Sequence, residues 1–160
     1  MNRTASIDDV TEADLPAIRP LLAELIATLD DSSGFDVDRA MENCRALLAR
    51  PDHHLMLARC QGLACGFVHL TTRQSILHDR PSGVIDELVV SRDFRGQGIG
   101  RLLMDAAVGR CRDLGCCEVE VSTESANRRA QEFYRKRGFS DEGVLFELHL
   151  PPGPAPAGAG

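Results

Sequence analysis

At 160 residues, the chain suits one folded domain with one core, and its 43% apolar and 26% charged residues are the balance of a globular protein. A net charge of −6 argues against nucleic acid as the main partner. No run approaches the ~20 apolar residues that cross a bilayer, and residues 1–10 lack the apolar stretch of a secretion signal, so the expectation is a cytoplasmic protein with no membrane partner.

Residues 4–10 read as a first strand. Asp14 stands where it can cap the next helix, with Pro16 in the first turn. Leu15, Ile18, Leu22, Leu25 and Leu29 then recur at helical spacing, and Pro20 predicts a kink or a late start. After the loop Asp31-Ser32-Ser33-Gly34, Asp36 or Asp38 opens a second helix that ends near Arg50, before Pro51. Residues 54–60 and 63–72 form a hairpin across Gln61-Gly62. A loop over 73–82 leads to a fourth strand, 84–90. A helix over 98–114 stops at Gly115, a fifth strand covers 118–122, and a helix over 128–137 stops at Gly138. A final strand pair follows Phe139, with 144–150 its clearer member. The tail, 151–160, holds only Pro, Gly and Ala and is expected to be disordered.

The order predicts an α/β fold: a single-domain, mixed, mostly antiparallel sheet flanked by helices over residues 4–150. Its fourth and fifth strands pair in parallel through a crossover helix. The six cysteines form no paired Cys-x-x-Cys motif, so no metal is expected and buried reduced thiols are.

The chemistry concentrates where the fourth strand, ending Leu88, Val89, Val90, runs into Arg95-Gly96-Gln97-Gly98-Ile99-Gly100 and then Arg101-Leu102-Leu103. Glycines at a strand-to-helix turn let backbone approach a ligand, and the helix start offers unpaired amides with partial positive charge. That is an anion site suited to a pyrophosphate, to which Arg95 and Arg101 add charge. A P-loop would place Lys and then Ser or Thr after its last glycine, and a dinucleotide turn would be spaced G-x-G-x-x-G; neither fits.

The R-x-x-G-x-G pattern after Val-Val resembles the acyl-CoA motif of the GNAT superfamily of N-acetyltransferases. The string Asn127-x-x-Ala130-x-x-Phe133-Tyr134-x-Lys136-x-Gly138-Phe139 is similar to the second CoA segment of the same superfamily. The likeness is strong over 84–139 and only topological over 4–72. It implies the GNAT fold, acetyl-CoA as co-substrate, and pyrophosphate on the amides of Gln97, Gly98, Ile99, Gly100 and Arg101. It further implies that the backbone of Leu88, Val89 and Val90 pairs with the pantetheine arm. Leu88 N–H is then the candidate to polarise the thioester carbonyl, Asn127 to bond the arm, and Tyr134 to protonate the leaving thiolate.

Direct transfer needs a base for the amine proton. Glu87 is favoured over Asp86. Strand alternation admits only one of them to the site unless a bulge, common in this strand of the family, relaxes it. Ser122, Thr123 and Glu124 could line the acceptor pocket, whereas His69 and His78 read as structural. Arg128, Arg135 and Lys136 read as a solvated helix face before a 3′-phosphate site. The expected acceptor is an amine of a small molecule or peptide. The resemblance admits a homodimer, and the alternative function is a non-catalytic acyl-CoA-binding or sensing module.

Overall fold

The computed structural model of the chain describes residues 5–29 and 32–151. Thr4, Asp31 and the tail after Pro151 lie outside the described residues. The elements are β1 (Ala5–Asp9), α1 (Leu15–Ile26), α2 (Val37–Leu47), β2 (His53–Cys60), β3 (Leu63–Arg73), β4 (Ser82–Val90), α3 (Ile99–Asp113), β5 (Glu118–Val121) and α4 (Arg128–Arg135). One compact unit ends at Val121, and a second begins at Ser122.

The first unit holds a sheet in the order β1-β2-β3-β4-β5. The first four strands are antiparallel and β4-β5 is parallel, joined through α3 as the crossover rule requires. The β2-β3 turn is two residues long, with Gln61 at φ 53° and Gly62 at φ 80°. Two consecutive left-handed residues match the twist of the strands they join.

Alternation along the strands divides the core into two layers. Leu55, Leu57, Phe67 and Val89 face α1 and α2, where they pack on Leu15, Ile18, Leu22 and Cys44. On the other face α3 brings Leu103, Met104 and Cys111, all 0–1% exposed. Two glycines let α3 lie close. A Cβ on Gly66 would stand 2.8 Å from Leu103 Cδ1, and one on Gly83 would stand 2.3 Å from Cys111 Sγ.

Three details differ from the sequence expectation. Helix α1 starts at Leu15 and continues through Pro20, with Pro16 in its first turn. Asp14 occupies the N-cap position without capping: its carboxylate accepts from Thr11 N and Oγ1, each at 2.8 Å, and pairs with Arg59. The strand pair expected after Phe139 is not formed, and no strand lies between Ser140 and Pro151. Residues 144–150 have the apolar character of a strand, but a strand exists only when its backbone is paired. Phe146 and Leu148 are instead 91% and 84% exposed. Among the described residues, no helix is long and apolar enough to cross a membrane.

Candidate active site

The strand β4 outruns its parallel partner. The β4-β5 ladder ends at Ile85↔Val121, while β4 continues to Val90. Its other edge stays paired with β3 to Gly66↔Val90. Ser91 N–H donates to the Cys65 carbonyl at 3.0 Å, so Ser91 and Val89 point their backbone groups toward β3. By alternation, Leu88 and Val90 present theirs to the opposite edge. That edge is a short row of backbone donors and acceptors without a strand beside it among the described residues.

It leads directly into the glycine turn. Gly96 (φ 76°) and Gly98 (φ 85°) are left-handed, and nothing lies within 4 Å of a Cβ at either. Only glycine holds that conformation at little cost, and Gly98 is also the N-cap of α3. A glycine cap has no side chain to satisfy the first amides of the helix, so they stay available to an anion. The arginines are partly committed elsewhere. Arg95 Nε donates to the Val90 carbonyl at 3.0 Å, with Glu24 at 4.0 Å, and Arg101 pairs with Asp105 at 3.5 Å. Glu24 of α1, absent from the sequence reading, anchors the strand end by accepting from Ser91 Oγ at 3.0 Å and Arg92 N–H at 2.9 Å.

The two acids lie one step upstream. The β3-β4 register shifts between His69↔Glu87 and Leu70↔Ile85, leaving Asp86 as the extra residue of a bulge. The bulge relaxes the alternation, and both carboxylates reach one imidazole. Glu87 Oε2 is 2.6 Å from His69 Nδ1, and Asp86 Oδ2 is 4.0 Å from it. Asp86 also accepts from Thr71 Oγ1. His69 is 7% exposed, and its Nε2 lies 2.8 Å from His53 Nδ1. Cys44 of α2 completes the surroundings: burial pushes its thiol up to about 11, and the charge of Glu87 adds to the rise. The sequence reading took His69 as structural and did not connect His53 or Cys44 with the site, because only strand register and helix packing bring the three to Glu87. The one available signal was His69 in phase with Phe67 on a buried strand.

Asn127 and Tyr134 belong to the second unit. Asn127 caps α4, its Oδ1 accepting from Ala130 N–H at 3.1 Å. Tyr134 is half-buried and meets Phe133 and Phe139 edge-on, with centroids 5.5 and 5.9 Å away. Burial raises its phenol above the usual tyrosine value. Arg135 pairs with Asp141 at 2.8 Å. At the opposite end of β4, one atom each from His78, Cys117 and Glu118 come within 4.8 Å of one another.

A family model described as Acetyltransferase (GNAT) family matches residues 20–139. Aminoalkylphosphonate N-acetyltransferase of Salmonella typhimurium is 30% identical over 140 residues, covering 88% of this chain and 88% of that protein. Mycothiol acetyltransferase of Propionibacterium freudenreichii is 41% identical over 61 residues, 38% of this chain but only 20% of that longer relative. Among solved structures, an aminoglycoside N-acetyltransferase in complex with CoA is similar with a TM-score of 0.79. It is 21% identical over 91% of this chain and 95% of that one, a likeness of fold.

Proposed function

The chain belongs to the GNAT family of acetyltransferases and is an acetyl-CoA-dependent N-acetyltransferase; on that premise, we propose that it acetylates a primary amine of a small molecule or peptide by direct transfer along the free edge of β4. The observation that carries this reading is the ladder that stops at Ile85↔Val121 while β4 runs on to Val90 and the glycine turn. Residues 4–150 act in it as one catalytic domain. Acetyl-CoA, when bound, supplies an acetyl group activated as a thioester.

The protein's part is positioning and proton handling. Leu88 and Val90 offer edge amides and carbonyls to the pantetheine arm, as an added strand would. The Leu88 amide donates to the thioester oxygen as charge grows there. The amides of Gln97, Gly98, Ile99, Gly100 and Arg101 take the pyrophosphate. Gly96 and Gly98 fit that task, since any side chain would fill the open space beside them. Asn127, its oxygen spent on the cap, has its amide nitrogen for the arm. Glu87 takes the proton of the amine, directly or through a water, with Asp86 adding negative charge that favours a cationic acceptor. Tyr134, a neutral phenol at physiological pH, gives its proton to the departing thiolate.

Thiol release from acetyl-CoA against a panel of amines tests the reading. The panel spans an aminoalkylphosphonate, an aminoglycoside, a D-amino acid and a short peptide with a free N-terminus. Amine-dependent release with an N-acetyl product is expected. CoA binding with no turnover on any amine would favour a sensing module instead.

A further inference from the structure

The pair formed by the buried His69 and the half-buried His53 behind Glu87 has no role in that scheme. We propose that His69 is a positioning residue that holds the Glu87 carboxylate toward the acceptor amine, and that His53 fixes the tautomer in which it can do so. The inference rests on Glu87 as the base and goes beyond that assignment.

The hydrogen-bond inventory sets the direction of the chain. An ionised carboxylate only accepts, so the 2.6 Å contact makes His69 Nδ1 the donor to Glu87 Oε2. A neutral imidazole with its proton on Nδ1 has an accepting Nε2. The group facing that nitrogen is His53 Nδ1 at 2.8 Å, which therefore donates. The rings lie 17° from parallel with centroids 5.1 Å apart, so the contact runs nearly in the plane of both. Donation thus runs from His53 to His69 to Glu87. On the far side of His53, Nε2 stands 3.8 Å from Asp52, whose carboxylate Arg50 already holds through Nε and Nη2 at 3.2 and 3.1 Å.

Exposure separates the roles. The Glu87 side chain is 43% exposed, enough to meet an acceptor, while that of His69 is 9% exposed and cannot. His69 acts through Glu87. The other groups around this contact are Asp86 beside it on β4 and the Cys44 thiol on α2. Asp86 is tied to Thr71 and stands 4.0 Å from Nδ1, so the imidazole orients Glu87 and not Asp86. A carboxylate on an exposed strand edge has free rotamers. One pinned by a buried donor is aimed before the amine arrives.

Two readouts test this. The first is the tautomer, read by long-range proton–nitrogen NMR on the full chain labelled with 15N-histidine. Its five histidines are assigned by single substitutions. His69 is expected in the Nδ1–H form, turning toward Nε2–H in Glu87→Ala and losing its fixed form in His53→Phe. An Nε2–H His69 in the unaltered protein overturns the proposal. The second is kinetic, with acetyl-CoA and the fastest amine of the panel. His69→Asn keeps an amide donor in the place of Nδ1 and is expected to retain most of kcat. His69→Leu is expected to lose about 10–100-fold, the scale on which removing a group that orients a metal ligand acts, with the KM for acetyl-CoA unchanged. Equal rates for the Asn and Leu variants, both folded by circular dichroism, contradict a positioning role. Glu87→Gln serves separately: full activity there removes Glu87 as the base, while the tautomer still decides whether His69 holds it.

Discussion

Replacing Gly66 by alanine inserts one methyl group between β3 and α3. The new Cβ would stand 2.8 Å from Leu103 Cδ1, 3.0 Å from the Val89 carbonyl oxygen and 3.1 Å from Ile99 Cγ2. Leu103 is 0% and Ile99 2% exposed, so neither methyl has free space to move into. The Val89 oxygen belongs to a paired strand. Relief must come from shifting α3 away from the sheet, and overpacking of this kind costs about 1–3 kcal/mol. For a chain of this length, each kcal/mol lowers the unfolding midpoint by roughly 2–4 °C, so a fall of about 2–12 °C is expected. Because Ile99 is the first residue of α3, the same shift disturbs the glycine turn, and the stabilisation given by added CoA should shrink. Thermal unfolding by circular dichroism, with and without CoA, measures both. Gly34→Ala is the control, since nothing lies within 4 Å of a Cβ there. A Gly66→Ala midpoint indistinguishable from that of Gly34→Ala would refute the packing argument.

Tyr134→Phe removes only the hydroxyl, and kcat should drop by about 100-fold or more, the scale of acid catalysis, with acetyl-CoA binding kept; steady-state kinetics beside a CoA titration separates the two. Asp14 is held below the usual carboxylate range, chiefly by the Thr11 backbone N–H and then by the Thr11 hydroxyl and Arg59. Its folded-state pKa lies below its unfolded value, so its stabilisation is present above the usual carboxylate range and is lost as acid titrates it below that. Denaturant midpoints followed downward from pH 5 should fall more steeply in the unaltered protein than in Asp14→Asn. Burial pushes Cys44 up to about 11 and Cys65 and Cys111 up to about 12, whereas Cys116 and Cys117 are partly exposed. Iodoacetamide at neutral pH should therefore label Cys116 and Cys117 first, as peptide mass spectrometry would show.

Local signals were strong enough to read most of the secondary structure and the glycine turn before α3 from sequence. Gln61-Gly62 marked the hairpin, Gly115 the end of α3, and the alternate glycines after Val90 the strand-to-helix turn, because each reflects a backbone demand within a few residues. Features created by contacts between distant segments were not legible. Gly66 and Gly83 stand in apolar strands for the sake of a helix that begins at Ile99. Glu24 secures Ser91 and Arg92 from another element. His69 meets Glu87 only through a register that includes a bulge. Residues 144–150 fail the opposite way: their apolar pattern satisfies the local rule, but among the described residues no strand pairs with them.

The central claim is that CoA lies along the free edge of β4 and across the glycine turn. Backbone amide NMR of the 15N-labelled chain during a CoA titration tests it most directly. The amides of Leu88 and Val90 and those of Gln97, Gly98, Ile99, Gly100 and Arg101 should move together at one saturation point. The Ala5–Asp9 amides, on the strand at the far edge of the sheet, should stay in place. Saturable CoA binding that leaves the Leu88, Val90 and turn amides unmoved would contradict the account.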